Sequence, residues 1–101
     1  MFAGTSLVNL NIDNFNTNQV TDMSSMFNNT SGLTTVFLHN FDTRNVTDMS
    51  NMFANSNFST LDLSNFNMKQ ITNKSYMLAN LGELSQLALG METDINGTRI
   101  K

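Results

Sequence analysis

With 101 residues, 40% apolar side chains and neither proline nor cysteine, the sequence describes one soluble globular domain and excludes disulfide scaffolds, collagen-like chains and proline-rich linkers. Only 13% of its residues are charged, and eight acids against five bases leave a net charge of −3, with no basic stripe to neutralise a phosphate backbone, so nucleic acid is not an expected partner. No apolar run approaches the roughly 18 to 20 residues of a membrane span, and the first residues lack the basic and apolar regions of a secretory signal.

In chain order, one motif restarts at Met1, Met26, Met52 and Met77, at intervals of 25, 26 and 25 residues. A period of that length is the mark of a solenoid, in which units too small to bury an apolar face alone share one core with their neighbours. The predicted organisation is a single solenoid domain over 1–101, with repeats 1–25, 26–51, 52–76 and 77–101. Met1-Phe2 occupies the place of Met26-Phe27 and Met52-Phe53, so the chain reads as a fragment, or an array whose upstream part is missing, with Met1 as a true initiator the alternative.

Each repeat opens with a predicted strand: Leu7, Leu10 and Ile12 in the first, Leu33, Val36 and Leu38 in the second, Phe58, Leu61 and Leu63 in the third, and Leu84, Leu87 and Leu89 in the fourth. Strands that recur after a crossover of this length must run parallel. A polar turn follows, with phenylalanine at its centre. Phe15, Phe41 and Phe66 are expected to form a buried row, and Asn14, Asn40 and Asn65 an amide ladder beside it.

The second half of each repeat has a different period. Val20, Met23, Met26 and Phe27 are spaced by three, three and one, which predicts a short helix or 3-10 turn, with Thr21-Asp22 and Thr47-Asp48 as its N-terminal caps. The expected fold class is therefore an α/β repeat solenoid, with short parallel strands on one face and short helices or 3-10 turns on the other. Lys74 falls in a methionine slot and is expected to lay its stem along the core while its amine reaches water. Gly90 to Lys101 is too polar to continue the pattern and suits a divergent C-terminal cap.

Two segments carry a family resemblance, Asn45-Val46-Thr47-Asp48-Met49-Ser50-Asn51-Met52-Phe53 and Thr60-Leu61-Asp62-Leu63-Ser64-Asn65-Phe66. They resemble the BspA-like leucine-rich-repeat surface proteins of bacteria, including the repeat type of mollicute lipoproteins, over about residues 1 to 90. Members often carry cysteine where this chain has Thr5, Thr30, Ser56 and Leu81. The resemblance implies a leucine-rich-repeat-like, right-handed solenoid at the bacterial cell surface, without enzymatic activity. It also implies adhesion to a host matrix protein, a mucin or a cell-surface glycan.

Side chains pointing away from the strand core are the predicted binding surface. They form three rows: Asn9, Thr35, Thr60 and Gln86; Asn11, Phe37, Asp62 and Ala88; and Asp13, His39, Ser64 and Gly90. Phe37 is the aromatic outlier among polar neighbours, the usual form of a binding anchor. Phe37, Asp62, His39, Asn11, Thr35 and Thr60 are the expected ligand contacts.

No catalytic residue, cofactor or metal site is expected. His39 is the single histidine, and Ser64 lacks an evident base and acid. The stacked Asp22, Asp48 and Asn73, and the row Asn16, Asp42 and Asn67, are better explained as caps and turns than as calcium ligands. The alternative to an interaction module is a structural spacer or stalk that binds nothing.

Overall fold

The computed structural model describes residues 16–38 and 41–98. The expectations at Leu7, Asn9, Leu10, Asn11, Ile12, Asp13, Asn14, Phe15, His39 and Asn40 lie outside the described residues. Two strands are present among those described, β1 (Thr60–Leu63) and β2 (Gln86–Leu89). They pair in parallel, Thr60 opposite Gln86 and Leu63 opposite Leu89, as the repeat spacing requires. The segment 33–38 keeps the same alternation, with Leu33, Val36 and Leu38 buried and Thr35 and Phe37 exposed. It is not a strand, but its Thr34 carbonyl accepts a hydrogen bond from the Ser59 amide at 2.9 Å.

On the opposite side, the stretch after Val20 is turn and not helix. Alternate amides explain why. Those of Met23, Ser25, Phe27 and Asn29 donate to the carbonyls of Asp48, Ser50, Met52 and Ala54 in the next repeat, at 2.8 to 2.9 Å. The intervening amides of Met26 and Asn28 turn back three residues, to Met23 and Ser25. The next repeat does the same, with Met49, Asn51, Phe53 and Asn55 donating to Asn73, Ser75, Met77 and Ala79. A helix would turn the Phe27 and Asn29 amides back to its own carbonyls, so their bonds to the next repeat exclude it.

Left-handed residues at fixed places allow this path. Ser25, Asn51 and Tyr76 share one position, and Asn29, Asn55 and Asn80 another, all with φ between 57° and 61°. Asparagine tolerates that region better than other residues with a side chain beyond Cβ, which accounts for four of the six. The Asn55 and Asn80 amides also donate to the side-chain oxygens of Asn28 and Asn55 at 3.3 and 2.8 Å.

Aromatic rings fill the interior. Phe27 and Phe53 stack with centroids 5.6 Å apart and planes 5° from parallel, and Phe58 sets its edge against both. Phe41 and Phe66, the described members of the predicted row, are buried, and the Asn65 side chain donates to the Phe41 carbonyl at 2.8 Å. Methionines at 23, 26, 49, 52 and 77 surround this cluster.

Two buried hydroxyls share one carbonyl acceptor. Thr30 and Ser56 both donate to the Phe27 carbonyl, at 2.8 and 2.7 Å. Two further threonines clamp successive repeats: Thr43 donates to the Asn67 carbonyl at 3.1 Å and accepts from the Asn67 amide at 2.8 Å, and Thr17 does the same with Asp42.

The described part of the polar tail lies along 68–78. Met68 and Leu78 amides donate to Glu92 and Thr98 carbonyls, and Thr93 donates its hydroxyl to the Leu63 carbonyl. Lys74 is mostly covered, and its ammonium pairs with the Asp94 carboxylate at 3.0 Å and donates to the Asp94 carbonyl. Its charge thus meets an acid as well as water. Gly90 departs from its predicted place on the binding surface: an added Cβ would lie 2.0 Å from the Ser64 carbonyl oxygen. It marks a close main-chain approach that only glycine permits.

Two outcomes follow from these contacts. Thr43→Val keeps the shape of a fully buried side chain but orphans both main-chain groups of Asn67, so urea denaturation should show a loss of about 1 to 3 kcal/mol. Exposed Thr35→Val should change stability by no more than about 0.5 kcal/mol. Gly90→Ala should push the end of β2 from Ser64, seen as faster hydrogen exchange at Leu63 and Ala88, whose amides face the β1–β2 ladder, than at Met49 and Phe53; equal exchange in wild type and variant would refute the close approach.

Candidate functional site

Thr35, Phe37, Thr60 and Asp62 come together, as the sequence rows predict, along one groove of about 410 Å³. Gln86 and Ala88, the β2 members of the same rows, complete its wall, over a floor made by Val36, Leu61 and Leu87. Two of the six predicted contacts, Asn11 and His39, lie outside the described residues. The arrangement arises because alternate side chains of an extended segment point to opposite faces: the leucines enter the core and the rows between them face out.

Phe37 dominates this surface. Its side chain is 68% exposed, whereas Phe27, Phe53 and Phe58 show no exposed area. Around it stand two threonine hydroxyls, the Asp62 carboxylate and the Gln86 amide. Such a groove can stack on an apolar or ring-shaped group and offer both hydrogen-bond donors and acceptors beside it.

Asp62 is held in place by its own turn. Its Oδ1 accepts the Ser64 hydroxyl at 2.5 Å and the Ser64 amide at 2.9 Å. The Ser64 hydroxyl, then the Ser64 amide, hold the Asp62 carboxyl below the ordinary aspartate value of 3.8, against a smaller opposing effect of desolvation. Asp62 therefore stays anionic into more acidic solution than a free aspartate. Ser64, weighed in the sequence as a nucleophile, spends its hydroxyl on this carboxylate.

The same local device explains the other acids. Asp22, Asp48 and Asn73 accept the amides of Ser24, Ser50 and Ser75 at 2.8 to 3.1 Å, two residues on. They also lie side by side in successive repeats, as main-chain bridge partners. Asn16, Asp42 and Asn67 form the second such row, bonding the amides of Asn18, Arg44 and Lys69. Among the described residues no three His, Cys, Asp or Glu side chains converge as a metal site would need. The caps expected at Asp22 and Asp48 thus close tight turns, with no helix behind them. The recurring Asp-x-Ser at 22, 48 and 62 was the sequence signal for this, and for the locked carboxylate of Asp62.

A family described as a Mycoplasma protein of unknown function, DUF285, matches residues 1–94. The chain belongs to this family. No curated protein and no solved structure matches it. Membership makes the chain a Mycoplasma-type repeat protein and fits the mollicute side of the resemblance drawn from Asn45–Phe53 and Thr60–Phe66. The DUF285 description assigns no activity, so function has to be argued from the groove.

Removing the Ser64 hydroxyl should release Asp62. In Ser64→Ala, a carboxyl-carbon NMR titration is expected to show the Asp62 midpoint rising toward 3.8. Because the folded value is depressed, the stability gained from this contact is present above the unfolded pKa and fades as pH falls through the folded one. An unchanged midpoint would mean that the turn does not hold the carboxylate.

Proposed function

We propose that the chain is a leucine-rich-repeat-like solenoid of the BspA type, acting as a non-catalytic interaction module on the bacterial cell surface. Its ligand is a host protein or glycan, met by the face that carries Phe37. The repeat-to-repeat hydrogen bonds at separations of 24 to 26 residues support the solenoid part of this reading. The surface location and the adhesive role rest on the resemblance.

One observation carries the binding reading: Phe37 is exposed at a position whose row neighbours Asp62 and Ala88 are polar or small, and it lines the groove beside them. A spacer has no use for an aromatic there. Exposure of such a ring to water is unfavourable by roughly 1.5 to 3 kcal/mol relative to burial, the energy that a partner would recover.

The test is binding of the purified chain to immobilised matrix proteins, mucins and surface glycans, beside Phe37→Ser and Asp62→Ala. Both variants should keep the wild-type circular dichroism, since neither side chain is in the core. Loss of a buried aromatic anchor of about 2 kcal/mol would weaken binding by more than tenfold. If the folded wild type binds nothing on the panel, or Phe37→Ser binds as well as wild type, the groove is not the site and the spacer reading takes its place.

A further inference from the structure

Among the described residues that line the groove, Asp62 alone is charged. Asp42, Glu92 and Asp94 have cations of their own chain, in Arg44, Lys69 and Lys74. Asp62 has none among the described residues. Its hydrogen bonds come from Ser64, and both fall on Oδ1. The second carboxylate oxygen, Oδ2, belongs to an exposed side chain and is left to solvent.

Phe37 stands next to this anion. The Ser59 amide donates to the Thr34 carbonyl, which sets 33–38 beside 58–63 with Phe37 level with Asp62, on backbones about the 4.8 Å of neighbouring strands apart. Ala88 follows on the other side of Asp62 in the β1–β2 register, and its methyl leaves that flank of the carboxylate low. An exposed aromatic ring and a fixed carboxylate therefore open to the same space. The Thr35 and Thr60 hydroxyls and the Gln86 side-chain carbonyl add further acceptors along the groove.

Any partner that lies in this groove takes the carboxylate out of water, which is costly without an opposite charge. Protonation is the usual relief. Here the Ser64 hydroxyl, then the Ser64 amide, oppose it by holding the carboxyl below its ordinary value. A cation offsets the lost hydration, and the negative face of an aromatic ring attracts the same cation. We propose that the group held in this groove is the positively charged side chain, lysine or arginine, of a partner protein, its charge against Asp62 and its stem along Phe37. This rests on the reading of the groove as a binding site and decides between the two ligand classes named there. A neutral glycan would cover the carboxylate without compensating it, and the net charge of −3 also favours the approach of a basic surface.

The probes are a capped Gly-Lys-Gly peptide, its Gly-Gln-Gly counterpart and maltotriose, each titrated into the full chain and followed by NMR. The lysine peptide should shift the Phe37 and Asp62 signals, less so as salt is raised, and the other two probes should not. Asp62→Asn keeps an acceptor for Ser64 but loses the charge, and Phe37→Leu keeps apolar bulk but loses the ring. Each should weaken the lysine peptide by roughly threefold to fivefold. Glu83→Gln removes the same charge from an exposed position outside the groove and should leave the affinity unchanged. Equal binding of the lysine and glutamine peptides, or an equal loss in Glu83→Gln and Asp62→Asn, would overturn the cation site. Maltotriose shifting Phe37 where the lysine peptide does not would overturn it too, with the groove standing as a glycan site. If no probe binds while the immobilised panel remains positive and sensitive to Phe37→Ser, the cation site alone falls. If the panel is negative as well, the groove reading falls with it.

Discussion

The rest of the structure depends on where alternate main-chain amides go. From Met23 to Asn29, and again from Met49 to Asn55, every second N–H leaves its own repeat and donates to the next one. Met23, Phe27, Met49 and Phe53 are buried, and their amides must be paired. Because their acceptors belong to another repeat, no single repeat can satisfy its own backbone. Cohesion between repeats is therefore a condition of local structure, and the methionines and phenylalanines that fill the interior pack only where this lattice of bonds has already set the spacing.

A second layer of ties uses side-chain hydroxyls and amides. Thr17 and Thr43 each bridge to both main-chain groups of a residue 24 or 25 positions on, and Thr30 and Ser56 share the Phe27 carbonyl. No buried side-chain nitrogen or oxygen among the described residues lacks a partner. The high share of Asn, Ser and Thr, which leaves the surface weakly charged, is thus explained from inside: these residues close turns, occupy left-handed positions and clamp repeats. Charge is left to a few surface pairs such as Arg44–Asp42, whose contribution in water is small.

This economy shapes the candidate site. Since most polar side chains are engaged in holding the turns, those of the outward rows stand apart as free of structural duty at Thr35 and Gln86, and Phe37 stands apart as an apolar group with nothing over it. Asp62 belongs to both classes, its Oδ1 engaged by Ser64 and its charge directed to solvent beside the groove.

Much of this was written in one dimension. Recurrence of Met-Phe at 26 and 52, the Leu-x-Leu alternation at 61–63 and 87–89, and the outward placing of Phe37 and Asp62 follow from period and pattern, because each repeat sees nearly the same surroundings. Of the short helix or 3-10 turn expected after Val20, the helix did not form, since the spacing of Val20, Met23 and Met26 records only which side chains turn inward. Where the intervening amides donate is not coded in that spacing, and a turn with left-handed Ser25 and Asn29 buries the same side chains. The tertiary structure alone decided the placing of Gly90 against Ser64, the engagement of Ser64 with Asp62, and the seating of 92–98 along 68–78. Each depends on the distance between segments 20 or more residues apart, or on a rotamer chosen by its neighbours, and sequence periodicity specifies neither.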